Sequence, residues 1–379
     1  MIDPQDFIQH LQANGVEFFT GVPDSLLKEF CACLEHVPRA GHHIISANEG
    51  GAVALALGYH LATRKVPLVY LQNSGLGNII NPLLSLADPE VYSVPLLLVI
   101  GWRGEPGVHD EPQHKKQGRV MLSMLEAMEI PHSILGPELV DPQAALADAL
   151  AHVRETSAPY ALVIKKGTFK SFAVPKVEKR DFPLSREEAI QQVIESLGER
   201  DVLISTTGMP SREVYEYRSK RGEGHQRDFL TVGGMGHASQ IALGIALQKS
   251  GRSVYCLDGD GALLMHMGAL AINGALKPRN FKHIIVNNGA HDSVGGQPTV
   301  AFDVDVPGIA HACGYESVFC AQTNQELQSC LAELQRSSGP SLLEVRVRCG
   351  ARKDIGRPVT TPSQNKDAFM DFVENGGVR

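Results

Sequence analysis

The sequence predicts an α/β protein made of two doubly wound parallel-sheet domains. Three observations carry this expectation. Short apolar runs that stop at glycine- or asparagine-rich turns alternate with helical segments along most of the chain, the pattern of repeated βαβ units. The alternation lapses once, over residues 165–183 (KKGTFKSFAVPKVEKRDFP), a charged stretch broken by Pro175 and Pro183. Finally, 379 residues are enough for two such domains, each able to bury its own core. The expected organisation is one domain over residues 1–170, a linker over 171–184 and a second domain over 185–379, with no middle domain.

Taken in order, Asp3-Pro4 offers an N-cap and a first-turn proline for a helix reaching about residue 13. Residues 16–20 read as a strand ending at Gly21-Val22-Pro23-Asp24-Ser25, and 26–34 as a helix. Residues 43–46 form the next strand, which stops at Asn48-Glu49-Gly50-Gly51 before a small-residue helix over 52–62. Buried strands follow at 68–71 and 95–100, the second running into a charged loop, GWRGEPGVHDEPQHKKQGR. Past the linker, Ser185 and Glu188 have capping-box spacing at the start of a helix. Strands at 202–205 and 230–232 end in Thr206-Thr207-Gly208 and Gly233-Gly234-Met235-Gly236, and a last strand is expected at 342–347.

Composition narrows the class. Apolar content of 43% and charged content of 20% describe an ordinary globular protein. With 35 basic and 42 acidic residues the net charge is -7, which argues against a general nucleic-acid binder, so an anionic ligand would need locally placed cations. The seven cysteines show no CxxC spacing, which argues against zinc and for thiols in a reducing cytoplasm. Neither a signal peptide nor an apolar run near 20 residues is evident, so no membrane association is expected.

The stretch from Val254 to Thr299 concentrates the chemistry. An apolar run stops at Asp258-Gly259-Asp260-Gly261, an amphipathic segment follows, and a second apolar run stops at Asn287-Asn288-Gly289. Either turn alone is unremarkable, since Gly, Asp and Asn are ordinary turn residues. As the ends of two parallel strands of one βαβ unit, however, they open onto the same crevice. Gly259 and Gly261 let a large anion approach the backbone beside Asp260. The Asp260 carboxylate and the Asn288 carboxamide are hard oxygen donors that suit Mg2+, whose shell is then completed by phosphate and water. The pair therefore calls for a diphosphate. Glu49, a carboxylate at a strand end beside two glycines, would sit in a poorly solvated cleft, or would simply favour the N-terminus of its helix. Gly234, Gly236 and Ser239 fill the GxGxxG positions without the final glycine, which discounts a nicotinamide site.

The run from Gly259 to Asn288 resembles the thiamine diphosphate motif, and the rest of the chain is similar to enzymes of that family. The resemblance implies two domains of thiamine diphosphate-binding type, the first holding the pyrimidine and the second the diphosphate. It implies Mg2+ held by Asp260, Asn288 and the main-chain oxygen of Ala290, with Gly259 and Gly261 beside the cofactor. Thr207 and Gly208 would help hold the diphosphate, Met235 would bend the cofactor and Gly233 would meet its amino group. Glu49 would bond N1' of the aminopyrimidine and so activate C2 of the thiazolium, whose ylid attacks a 2-oxo acid and whose enamine follows loss of CO2. Asp24, in Gly21-Val22-Pro23-Asp24, would assist proton transfer, and His109 and His114, in the loop after residue 100, would correspond to the family's catalytic histidines, which are often adjacent but stand five positions apart here.

The string Asn288 to Pro298 and the tail Arg352-Lys353-Asp354-Ile355-Gly356-Arg357-Pro358 resemble those of phosphonopyruvate decarboxylases. What this implies is conversion of 3-phosphonopyruvate to phosphonoacetaldehyde and CO2. Candidate groups for the small anionic substrate are Arg103, Lys115, Lys116, His291, Ser293, Arg352, Lys353 and Arg357. Sulfopyruvate decarboxylase is the alternative within the family, and a non-catalytic nucleotide- or phosphate-binding α/β protein the alternative outside it. The family also implies a homodimer or higher homo-oligomer, with active sites at subunit interfaces.

Overall fold

The computed structural model describes residues 1–36, 42–138, 141–173 and 180–376. Contacts divide the chain into two compact units, Met1–Lys176 and Val177–Arg379. Part of the linker expected at 171–184, residues 174–179, lies outside the described residues.

The first unit contains strands β1 (Phe19–Gly21), β2 (His43–Ile45), β3 (Leu68–Gln72), β4 (Leu96–Gly101), β5 (His132–Leu135) and β6 (Pro159–Ile164). All pair in parallel, in the order β2-β1-β3-β4-β6-β5. The second unit contains β7 (Val202–Ser205), β8 (Asp228–Leu230), β9 (Val254–Gly259), β10 (Phe281–Asn287), β11 (Ser317–Ala321) and β12 (Ser341–Arg346). These too are parallel, in the order β11-β12-β10-β9-β7-β8. Numbered from its own first strand and read from the other edge, the second sheet has the order of the first.

Each sheet is covered on both faces, which is why its strands are apolar without alternation. Leu68 and Tyr70 of β3 belong to the core layer that holds Phe7, Phe30 and Leu150, whereas Val69 and Leu71 belong to the opposite layer with Val53, Ile79 and Leu125. In the second unit Ile284 and Val286 of β10 pack with Ile190 and Leu331, and Phe281 and Ile285 with Ala242 and Phe369. No helix among the described residues is long and apolar enough to cross a membrane. No disulfide joins the seven cysteines, all of which lie among the described residues.

Capping signals set several helix starts. Asp3 accepts from Gln5 N at the head of Pro4–Ala13, and Ser185 and Glu188 close a reciprocal capping box on Arg186–Ser196. Four expectations need correction. The loop expected after β4 ends early, because Pro112 at the first helical turn starts a helix, Pro112–Ala127, that carries His114, Lys115 and Lys116. The strand expected at 230–232 runs over Asp228–Leu230, where buried Asp228 is neutralised by Arg218, a pairing that periodicity cannot reveal. The segment between Asp260 and Asn288 is two helices, Asp260–Met265 and Ala269–Leu276, separated at Gly268. Strands β5, β6 and β11 add to those the sequence pattern predicts.

Candidate active site

In the second unit β9 and β10 pair in register, Val286 opposite Gly259, so Asp260 and Asn288 follow adjacent strand ends. Asp260 is the first residue of its helix and is 4% exposed. Burial pushes its carboxyl up to about 6, against the pull of the Thr299 hydroxyl and of backbone amides including those of Gly261 and Asn288. The carboxylate of one turn therefore meets the backbone of the other. No arginine or lysine pairs with it among the described residues, so it is a buried acid short of positive charge.

Asn288 is held from both ends. Its Oδ1 accepts from Ala290 N at 3.0 Å and its Nδ2 donates to Asp292 Oδ2 at 2.7 Å. The same Asp292 oxygen accepts from Arg186 Nη1 at 3.0 Å and from Gly350 N at 2.9 Å. Arg186 in turn forks onto Glu213, at 2.8 and 3.0 Å, with both side chains buried. A carboxamide looks alike at its two ends, and this chain of charge decides which end is oxygen. Arg186, Glu213 and Asp292 lie up to 106 residues from one another in sequence and carry no motif. None of the three is predictable from local sequence.

Other expected residues gather here. A Cβ on Gly261 would stand 2.7 Å from the His291 ring, and one on Gly208 would stand 2.8 Å from Ser293 Oγ. The 291–293 loop thus touches both the Asp260 turn and the Thr207-Gly208 turn. Desolvation lowers His291 to about 4, which keeps its imidazole neutral. The Gly233–Met235 turn leads to Gly236, whose φ of 84° brings it against His266 and Ala262 O of the Asp260 helix. Gly259 ends β9, and Ala290 is buried beside Asn288.

In the first unit Glu49 begins the helix Glu49–Thr63 and is 5% exposed. Asn78 Nδ2 donates to its Oε2 at 2.7 Å, and its carboxylate covers Gly75, where a Cβ would lie 2.3 Å from Oε1. Neither partner was anticipated. Asp24 is fully buried after β1, and burial raises its pKa although Gln72 Nε2 donates to Oδ1 at 2.5 Å.

The basic groups divide. Arg103 forks onto Asp110 and donates to Ser25 Oγ at 2.7 Å, so its guanidinium is already engaged. Burial would raise Asp110, but its bonds from Arg103 and Gly104 N take it to about 2. His109 lines a cavity of about 350 Å³ with Ser25, Trp102, Arg103 and Lys166. His114 is instead buried within its helix, and desolvation lowers it to about 4. The two histidines are not side by side, and Lys115 and Lys116 lie on the exposed face of that helix. Arg352 is bound by Glu187, Glu216 and Asp354. Lys353 lines a second cavity, of about 340 Å³, beside Asp292, and Arg357 is exposed.

Two family models match. Residues 4–128 match the thiamine pyrophosphate enzyme N-terminal TPP binding domain, and residues 206–345 the C-terminal TPP binding domain. The chain is 33% identical to a phosphonopyruvate decarboxylase of Streptomyces viridochromogenes, over 98% of this chain and 95% of the relative. It is 33% identical to the phosphonopyruvate decarboxylase of Streptomyces hygroscopicus, with 98% and 94% covered. To the sulfopyruvate decarboxylase of Methanosarcina acetivorans it is 27% identical, with 99% and 98% covered. With both binding domains present and relatives matched from end to end, the chain belongs to the thiamine pyrophosphate-dependent decarboxylases.

Proposed function

We propose that this enzyme decarboxylates 3-phosphonopyruvate to phosphonoacetaldehyde and CO2, with Mg2+ held by Asp260, Asn288 and the Ala290 main-chain oxygen. The observation that carries the reading is the buried Asp260 carboxylate, without a cationic partner among the described residues and turned to the Asn288 backbone. A divalent ion would relieve that deficit, and the donors present are all oxygens, as Mg2+ prefers. The residues therefore fit the ion. The glycines at 208, 259 and 261 leave room for a diphosphate at the same strand ends.

Thiamine diphosphate, when bound, supplies a carbanion for the oxo carbon and a sink for the electron pair left by CO2. The protein's part is proton handling and placement. Glu49, held by a hydrogen bond from Asn78 Nδ2, would take and return a proton at N1' of the aminopyrimidine. Asp24, its pKa raised by burial, and His109, on the wall of a cavity, would move protons to and from the substrate, whereas His114, buried in its helix, would act only through packing. Thr207 and Gly208 would hold the diphosphate, Met235 would support the cofactor between its two ends and the Gly233 main-chain oxygen would accept from its amino group. His291, neutral and packed on Gly261, and Ser293 lie at the substrate end. Glu49 and Asp260 belong to different units, and we place the working enzyme as a homodimer or higher oligomer in which subunits unite them, in the cytoplasm.

Identity to phosphonopyruvate decarboxylases, 33%, exceeds the 27% to the sulfopyruvate enzyme and favours the phosphonate. Release of CO2 from phosphonopyruvate, sulfopyruvate and pyruvate, with thiamine diphosphate and Mg2+ supplied, tests the assignment. Phosphonopyruvate should have the highest kcat/KM. Equal use of pyruvate would refute a dedicated anion site, and preference for sulfopyruvate would move the assignment to the sulfonate.

A further inference from the structure

We infer that Arg212 and Lys353 form the subsite for the second anionic group of the substrate, the tetrahedral phosphonate. This rests on the decarboxylase reading above and names residues that neither the motifs nor the relatives single out as a pair. The site is the cavity of about 340 Å³ in the second unit, bordered by Met209, Arg212, Asp292, Gly350, Arg352 and Lys353.

Its charge is unbalanced. Two arginines at this end of the second unit are already engaged: Arg186 by Glu213 and Asp292, and Arg352 by Glu187 and Glu216. Arg212, half-buried on the helix Met209–Lys220, has no carboxylate or hydrogen-bond partner among the described residues. Lys353, across the cavity, has none either. The acid on the wall, Asp292, makes no ion pair with either of them, and its Oδ2 accepts from Arg186, Asn288 and Gly350. Two cations without partners on the walls of one cavity suit an anionic group.

Position and geometry agree with that ligand. Arg212 lies one helical turn beyond Gly208, and Asp292 is bonded to Asn288, so the cavity adjoins the proposed cofactor site. The planar guanidinium can give two parallel bonds to a tetrahedral oxyanion, and the ammonium opposite adds a third. Pyruvate, which lacks the group, would leave both cations unpaired, and a site built to bond a group discriminates strongly against an analogue without it.

The test uses the full chain loaded with thiamine diphosphate and Mg2+. Arg212→Met, Arg212→Lys and Lys353→Met are compared with the parent for phosphonopyruvate and pyruvate kinetics and for calorimetric binding of phosphonoacetate, which cannot react. Loss of a charge-assisted bond predicts that Arg212→Met weakens phosphonoacetate about 10- to 100-fold and lowers the phosphonopyruvate-to-pyruvate preference by the same factor. Arg212→Lys should keep part of both. Lys353→Met, at an exposed position, gives a smaller shift of the same sign and covers the case in which Arg212→Met fails to fold. Unchanged phosphonoacetate affinity in Arg212→Met and Lys353→Met overturns the inference. So does a loss that falls on thiamine diphosphate affinity instead, which would give the cavity to the cofactor's diphosphate. If the parent releases CO2 from no oxo acid, the decarboxylase reading itself has failed, and the subsite with it.

Discussion

Asp292→Asn is the sharpest probe of how the proposed metal site is held. In the parent, one Asp292 oxygen collects Asn288 Nδ2, Arg186 Nη1 and Gly350 N, which fixes the Asn288 amide nitrogen on Asp292 and its oxygen on the Ala290 side. An asparagine at 292 keeps the shape but removes the charge, and its amide can face Asn288 with nitrogen or with oxygen. Arg186 remains forked onto Glu213, so the local fold has a surviving anchor. What is lost is the bias on the Asn288 carboxamide. A hydrogen bond to a charged group is worth about 1.5–3 kcal/mol, and loss of an outer-shell partner costs metal sites about 10- to 100-fold in affinity, which is about 1.4–2.8 kcal/mol. The two estimates agree. Titration of metal-stripped protein with Mg2+, and with Mn2+ followed by electron paramagnetic resonance, reads that affinity without turnover. Weaker metal binding with kcat largely recovered at saturating Mg2+ is the expected result. Unchanged affinity in a folded Asp292→Asn protein would refute the argument that this charge relay orients Asn288.

Three further outcomes follow from the geometry. Glu49→Gln should lower kcat by about 10²- to 10⁴-fold while thiamine diphosphate still binds, because a carboxamide cannot exchange the proton at N1'; calorimetry alongside steady-state rates checks both halves. Gly75→Ala puts a Cβ 2.3 Å from Glu49 Oε1, and since the flexible glutamate end can yield, the melting temperature should change little while kcat falls about 100-fold from the displaced acid. In metal-free protein, Asp260→Asn should be stabilising at pH 7.5. Burial raises the folded carboxyl from 3.8 to about 6, so the unfolded chain sheds its proton first and stability falls as pH climbs between those values. The full effect, about 3 kcal/mol at most, is present above pH 6 and gone below about pH 4. Denaturant melts of both proteins across that range measure it, and Mg2+ should stabilise the parent alone.

The parts of the site legible in sequence were those that chain proximity encodes. Gly259-Asp260-Gly261 and Asn287-Asn288 each terminate an apolar run, and parallel pairing then places them together, as the β9–β10 register does. Ser185 and Glu188 announced a helix start by spacing alone. What stayed hidden depends on partners distant in sequence. Arg186, Glu213 and Asp292 look like three surface charges until folding buries them against one another. Gly75 and Asn78 gain meaning only because a helix brings them under Glu49. The segment 101–119 read as a loop because its charges mask a helix whose inward positions, such as His114 and Gly118, are spaced by four.

The matching strand orders of the two sheets have a consequence for how this enzyme can change. Counted from the start of each unit, Asp24 and Thr207 follow the first strand, Glu49 and Gly233 come soon after the second, and Gln72 ends the third where Asp260 follows it in the other unit. One wiring diagram is used twice, and in the proposed assignment the copies divide the labour: acid–base groups would occupy the rim of one, ion and phosphate ligands the rim of the other. On that assignment, substitutions at the first rim would act mainly on reactivity and those at the second on ion and phosphate binding, so the two traits could change largely apart.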